Sequence, residues 1–363
     1  MAKKAVFSVS GTPNPPLSNL NHGKGSSLLN QLKHDFELTE KFTGNFLLCV
    51  DHSSQALRKF KRAGGLAKNT ILVRYEPISV HPAQYKPNIE KLYGLIISPG
   101  HISEAIPTKI DIGCPYSYQA NPMHPSSKSK SIAKLVTDNE KEGIYRYANW
   151  KNRPITLSMI ASNKVSPIKN SNYALRRNLA MDLEHLGLQV YGALWVGDWK
   201  NRIRNRIGTI RFSILSGKMP NLRSVYGNFF RRYKTTFGVI NDKHQILKQS
   251  KFSMIVENSN DYISEKVFDA LLNGCIPIYI GPDVSKLPFP KDLINNFSGD
   301  PQEIYEYVLT VKEQAIESKL TVAKEFFLSD AFTSTWSEEA VNGEICERIK
   351  IFVASKYGNS GDA

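Results

Sequence analysis

Acids, amides and a lysine crowd one stretch of this chain, Lys251 to Gly281, which reads KFSMIVENSNDYISEKVFDALLNGCIPIYIG. An apolar strand, Phe252–Val256, runs into Glu257-Asn258-Ser259. A polar loop follows, and a helix opens near Ser264 with Val267, Phe268, Leu271 and Leu272 as its apolar stripe. Glu265 and Lys266 then fall in the first helical turn. The backbone N–H groups there have no intrahelical partner, and the helix dipole favours an anion. Lys266 adds a full positive charge, so the arrangement suits a diphosphate. Glu265 and Asn258 can accept hydrogen bonds from ribose or sugar hydroxyls. An isolated Glu-Lys pair in a first turn is ordinary solvated surface. Here it follows strand, E-N-S and an aromatic, and precedes a G-C-I-P strand that ends in Gly281.

The elements that must position these residues alternate along the chain. In the first half Ala5–Ser8, Phe46–Val50, Thr70–Arg74 and Tyr93–Ser98 read as strands, with helices at Ser27–Leu38 and Ser54–Ala63. From Pro115 to Asn149 the chain is polar and lysine-rich and reads as loop and linker. The alternation restarts with a strand at Ile155–Ala161, a helix at Asn172–Leu186 closed by Gly187, and a strand at Leu188–Tyr191. A short helix at His244–Ser250 leads into the motif, and helices at Gln302–Thr310, Glu313–Phe327 and Glu344–Ser355 follow it. Such alternation predicts an α/β protein with mainly parallel sheets, whose ligands bind at the carboxyl ends of the strands. The predicted boundaries are a domain over 1–150, a second over 151–330 and a helical tail over 331–363.

The motif resembles the C-terminal signature of α1,3/4-fucosyltransferases. The matching positions are Phe252, Glu257, Asn258, Ser259, Asp261, Tyr262, Ile263, Ser264, Glu265, Lys266, Gly274, Ile276, Pro277 and Ile278. The resemblance implies a GT-B architecture, two facing Rossmann-like domains with an inter-domain cleft. It also implies inverting transfer of fucose from GDP-fucose to a glycan hydroxyl. It places the donor at Asn258, Tyr262, Glu265 and Lys266. Upstream, Ser162-Asn163 follows a strand and Arg176-Arg177 lies on the next helix, as in the family. Arg176 is the better match for the diphosphate-binding arginine, because Leu179 and Leu183 then occupy the family's apolar positions; Arg177 is its rival. The catalytic base is expected on an N-terminal loop after a strand, which points to Glu76, with Glu104, Asp51 and His101 as the other candidates. His52 and His81 read as structural or surface residues.

The chain has 363 residues, 41% of them hydrophobic, and no apolar run of the length a membrane span needs. Its start reads as a first strand rather than a signal peptide. Cys49, Cys114, Cys275 and Cys346 form no C-x-x-C pair, which argues against a zinc or redox site and for buried thiols in a cytoplasmic protein. There is no D-x-D pair, and Asp283, Asp292 and Asp300 stand alone, so no metal and no further cofactor is expected to be required; Lys266 and Arg176 neutralise the leaving diphosphate instead. The net charge of +14 concentrates partly in residues 199–234, read as solvated loop surface, or as a patch for an acidic acceptor or for peripheral contact with an anionic membrane face. A nucleic-acid-binding protein lacks support, because zinc spacing, RRM aromatics and a recognition-helix pattern are all missing. Other readings are an exostosin-like enzyme, a retaining GT-B enzyme using Glu257 and Glu265, or a non-catalytic sugar-binding protein.

Overall fold

The computed structural model describes the chain apart from residues 1–4, 12–24, 100–108, 113–115, 117–130, 196–202, 204–205, 208–209, 212–213, 215–232 and 359–363. It forms two units, one of Met1–Tyr116 with Thr333–Ala363, the other of Ser127–Phe332. Most of the basic stretch 199–234 lies outside the described residues.

The first unit is built on six parallel strands: β1 (Val6–Gly11), β2 (Glu37–Thr39), β3 (Phe46–Val50), β4 (Thr70–Val73), β5 (Leu95–Pro99) and β6 (Lys109–Ile112), in the order β2-β1-β3-β4-β5-β6. Successive side chains of a strand point to opposite faces, and the sequence uses both. Phe46, Leu48, Ile71, Val73, Leu95 and Ile97 pack with Leu28, Leu29 and Leu32 of the helix Ser26–Asp35. Val341, Ile345, Ile349 and Val353 join this layer from the last helix, Glu338–Gly358. On the other face Leu47, Cys49, Leu72 and Ile96 pack with Ala56 and Phe60 of the helix Ser54–Arg62.

The second unit repeats the plan with β7 (Ile155–Ile160), β8 (Leu188–Tyr191), β9 (Thr236–Gly238), β10 (Ser250–Val256), β11 (Ile276–Ile280) and β12 (Asn295–Asn296), all parallel, in the order β12-β11-β10-β7-β8-β9. Leu157, Met159, Phe252, Met254, Ile276 and Ile278 form its core with Leu179, Ile304, Ile316 and Leu320 from the flanking helices. Two parallel-sheet α/β domains are the fold class the motif implied. Among the described residues no helix is long and apolar enough to cross a membrane. Cys49, Cys275 and Cys346 are buried and unpaired; Cys114 lies outside the described residues.

Three local readings need correction. The first helix stops at Asp35, because Phe36 turns to extended backbone and sets its ring against Phe7, 4.9 Å between centroids. Glu37–Thr39 then pairs with β1 as an edge strand. The stretch read as linker contains the helix Ile132–Lys141, with Val136 buried, and its end overlaps the helix Tyr147–Lys151, with Trp150 buried. β6 is a strand the sequence reading lacks; its K-I-D-I alternation spans only four residues, and it pairs with β5.

Arg153 locks the second unit internally. It is 5% exposed, and its Nη1 donates to the carbonyls of Ser250 at 2.9 Å and Gly274 at 2.8 Å, while Nη2 donates to that of Ile144 at 3.0 Å. Gly274 has φ +59°, and a Cβ there would meet the Ile144 carbonyl oxygen at 2.6 Å, so the glycine lets these three segments converge. Arg153→Leu leaves several buried carbonyls without donors and is expected to cost about 2–4 kcal/mol of stability, read from the urea midpoint.

Candidate functional site

In the second unit β7 leads away through β8 and β9, and β10 leads the opposite way through β11 and β12. Adjacent parallel strands whose connections diverge leave a crevice beyond their carboxyl ends, the usual ligand site of such sheets. The residues at this point are Ser162, Asn163 and Lys164 after β7, and Glu257, Asn258 and Ser259 after β10.

Arg176 bridges the two strand ends from the helix Tyr173–Asp182. It is 3% exposed; Nη2 donates to the Val256 carbonyl and to Asn258 Oδ1, the latter at 3.3 Å, and Nη1 donates to the Ser162 carbonyl at 3.4 Å. Its guanidinium stands 5.1 Å from the centre of the Tyr173 ring. The loop after β10 is fastened to the start of the same helix. Asn172 donates its backbone N–H to the Asn258 carbonyl at 3.0 Å and its side-chain amide to Asn260 Oδ1 at 2.7 Å.

The helix Glu265–Leu272 is set by a buried carboxylate. Glu257, with no exposed surface, accepts the backbone N–H of Ser264 at Oε1, 2.8 Å away, which closes the loop over residues 258–263. Its Oε2 has no partner. Lys266 donates to Ser264 Oγ at 3.0 Å and lies 3.7 Å from the Glu265 carboxylate. The far side of the helix is pinned by Asp269, which pairs with Lys243 and stands 3.8 Å from His244 Nε2.

The electrostatics are cationic overall. Burial pushes the Glu257 carboxyl above the usual carboxylate range, against the pull of Lys266. At Lys266 burial works against the charge, but Glu265 and Glu257 outweigh it and hold the pKa above the ordinary lysine value. Burial lowers the Arg176 pKa. Lys164 is held below the ordinary lysine value by partial desolvation, then by the charges of Lys266 and Arg176. Three cations therefore share one crevice with Glu257 and Glu265.

Of the residues singled out from sequence, Arg176, Asn258, Glu265 and Lys266 come together here, and Tyr262 lies in the same loop, largely buried. Arg177 points elsewhere. Its Nη1 donates to the Lys164 carbonyl at 2.7 Å, and burial lowers its pKa to about 10. Lys164 was not singled out, although the signal was available, because it directly follows Ser162-Asn163 at a strand end. Among the described residues no group of three or more His, Cys, Asp or Glu is placed to hold a metal ion.

Glu76 belongs to the first unit, half-buried just beyond the carboxyl end of β4. The Tyr85 hydroxyl donates to its backbone carbonyl at 2.8 Å, and the Tyr85 ring lies 4.1 Å from the Arg74 guanidinium. Arg74 is buried and paired with Glu90 at 3.1 Å. Asp51 has φ 63° and accepts from Gln84 Nε2 at 3.3 Å. His52 bonds Tyr93 and Ser54 through its two ring nitrogens, each at 2.8 Å, which matches the structural role expected of it; His81 is exposed. His101 and Glu104 lie outside the described residues.

The class of the fold is that of GT-B glycosyltransferases. Crystal structures of Anabaena HepE, one in complex with UDP and glucose, share it: TM-score 0.51, 11% identity, covering 96% of this chain and all of that one. Residues 223–352 match the family model described as glycosyltransferase family 10 (fucosyltransferase) C-term, so the chain resembles that family through the block containing the motif. A putative fucosyltransferase-like protein of Arabidopsis thaliana is 46% identical over 43 residues, 11% of this chain and only 8% of that protein's length. A crystal structure of an α1,3-fucosyltransferase aligns with TM-score 0.47 and 13% identity over 96% of this chain and 90% of that one.

Two outcomes test the cationic crevice with a nucleoside diphosphate as probe. Lys266→Ala is expected to weaken binding by about 1–3 kcal/mol in titration calorimetry, the range for a charge-assisted bond, with the melting temperature nearly unchanged. A bound polyanion also raises the depressed pKa of Lys164. Binding at alkaline pH, between that depressed value and the ordinary lysine value, should therefore take up protons, seen as a heat that varies with buffer ionisation enthalpy.

Proposed function

We propose that the protein is an inverting glycosyltransferase that moves fucose from GDP-fucose to a hydroxyl of a glycan acceptor, in the manner of α1,3-fucosyltransferases. The observation that carries this reading is the convergence of Lys266, Arg176 and Lys164 at the point where the second sheet diverges, with Lys266 inside the block that matches the fucosyltransferase family and the other two upstream of it. In this reading the diphosphate lies against Lys266 and Arg176, Glu265 and Asn258 accept bonds from ribose or sugar hydroxyls, and Tyr262 packs on the donor.

The acceptor oxygen attacks the anomeric carbon, the bond from that carbon to the β-phosphate oxygen breaks, and the electron pair leaves with GDP. The acceptor proton passes to the Glu76 carboxylate. The cations neutralise the departing charge, so transfer persists without a divalent ion. The anion-binding crevice also supports a coarser reading, a glycosyltransferase with another nucleotide sugar, and donor competition separates the two. Glycan or glycolipid acceptors, a cytoplasmic setting and the domain boundaries near residues 150 and 330 belong to the same proposal.

The experiment is transfer from radiolabelled GDP-fucose, with and without an array of glycan acceptors and with chelator present, followed by the anomeric configuration of the product. An inverted fucoside supports the proposal; a retained one, or preference for a UDP-sugar, overturns it. Glu76→Gln keeps the shape and removes the base. It is expected to cut turnover by about 10²–10⁴-fold under chemistry-limited conditions while leaving GDP affinity nearly unchanged. A variant that keeps more than about a tenth of the rate removes Glu76 from that role.

A further inference from the structure

The helix Ser54–Arg62 buries Ala56 and Phe60 against the first sheet and turns Arg58, Lys59, Lys61 and Arg62 outward, all exposed. The chain then passes Gly64-Gly65 to Leu66, which is 52% exposed, and to the exposed Lys68. A second turn, Lys91-Leu92, is fastened beside it. Thr70 Oγ1 donates to the Ala67 carbonyl at 2.7 Å and to the Leu92 carbonyl at 3.0 Å, and Leu92 is 42% exposed.

This surface is rich in cations, and Lys59 lies 5.5 Å from the centre of the Phe42 ring. No Asp or Glu occurs between Asp51 and Glu76. Among the described residues none of Arg58, Lys59, Lys61, Arg62, Lys68 and Lys91 forms an ion pair. Glu90, the acid next to Lys91, is buried against Arg74. The turns holding Leu66 and Leu92 precede β4 and β5, at the amino ends of the strands, whereas Glu76 follows the carboxyl end of β4. The two turns are therefore at the other end of the sheet from the proposed base, and the helix Ser54–Arg62 runs towards them from the carboxyl end of β3.

We propose that this face docks the protein on an anionic phospholipid bilayer. Six cations without ion pairs complement an anionic leaflet, which attracts basic side chains within about a Debye length, roughly 10 Å at 0.1 M salt. The two leucines decide between polyanions. An apolar side chain among basic ones gains from entering the headgroup boundary, and it gains nothing from a nucleic-acid backbone. The inference is separate from the 199–234 segment and does not depend on which sugar nucleotide the second unit binds.

The test is co-sedimentation of the full chain with two vesicle types, phosphatidylcholine alone and phosphatidylcholine with about 30% phosphatidylglycerol. Binding is expected to the anionic vesicles and to fall at high salt. Each cation near the surface contributes about fivefold in affinity, so R58Q/K59Q/K61Q/R62Q should lose more than about a hundredfold. K68Q/K91Q should lose at least about tenfold, and this pair serves if the first variant melts at lower temperature. L66S/L92S should weaken vesicle binding severalfold and leave heparin binding unchanged. Transfer to a soluble acceptor should be the same in all variants, which keeps this test apart from that of the donor site. Equal binding to neutral vesicles, charge variants that bind like wild type, or leucine variants that keep full vesicle affinity would each overturn the proposal.

Discussion

The guanidinium of Arg176 joins the ends of the two strands from which the second sheet diverges, and the candidate site depends on that join. Burying a cation is costly unless hydrogen bonds replace its water. Here the carbonyls of Val256 and Ser162 and the amide of Asn258 do so. Because these partners are neutral, the charge is held in place without being cancelled. The same contacts fix the loop after β10, and through Glu257 and Ser264 that loop fixes the start of the helix carrying Lys266.

The two units use a buried arginine in opposite ways. Beyond β4, Arg74 pairs directly with Glu90, and its contact with the Tyr85 ring helps hold the backbone at Glu76. That arginine has a carboxylate as its direct partner. Among the described residues Arg176 forms no ion pair, although Glu257 acts on it through space, and Lys164 and Lys266 add to its charge. One sheet thus carries a candidate base and the other a candidate anion site, both on six parallel strands but in different strand orders. The family match, residues 223–352, begins in the second unit and ends in the helix Glu338–Gly358, which closes the core of the first. The matched block therefore includes part of both cores.

Much of this was legible in the residues. The motif placed Glu265 and Lys266 in a first helical turn because apolar residues at helical spacing leave few other positions for them. The parallel-sheet plan followed from strand–helix alternation, and the strands β7, β8, β10 and β11 lie within two residues of where the pattern put them. Those strands are buried on both faces, so their signal is a continuous apolar run that needs no partner to be recognised. The edge strand Glu37–Thr39 and β6 lack such a run and acquire strand geometry only by pairing with β1 and β5.

By itself the sequence determined which residues could meet an anion and on what kind of element each would sit, because helix spacing and strand ends are local properties. Only the tertiary structure decided how they act together. Arg176 and Arg177 are adjacent and chemically identical, yet one reaches the end of β10 and the other the Lys164 carbonyl, since neighbouring helical residues point about 100° apart. Lys164 joins the cluster because β7 and β10 are paired across a long interval of sequence. Glu257 braces a loop because burial and one backbone N–H await it there. Such contacts arise from strand order, which no local pattern of residues encodes.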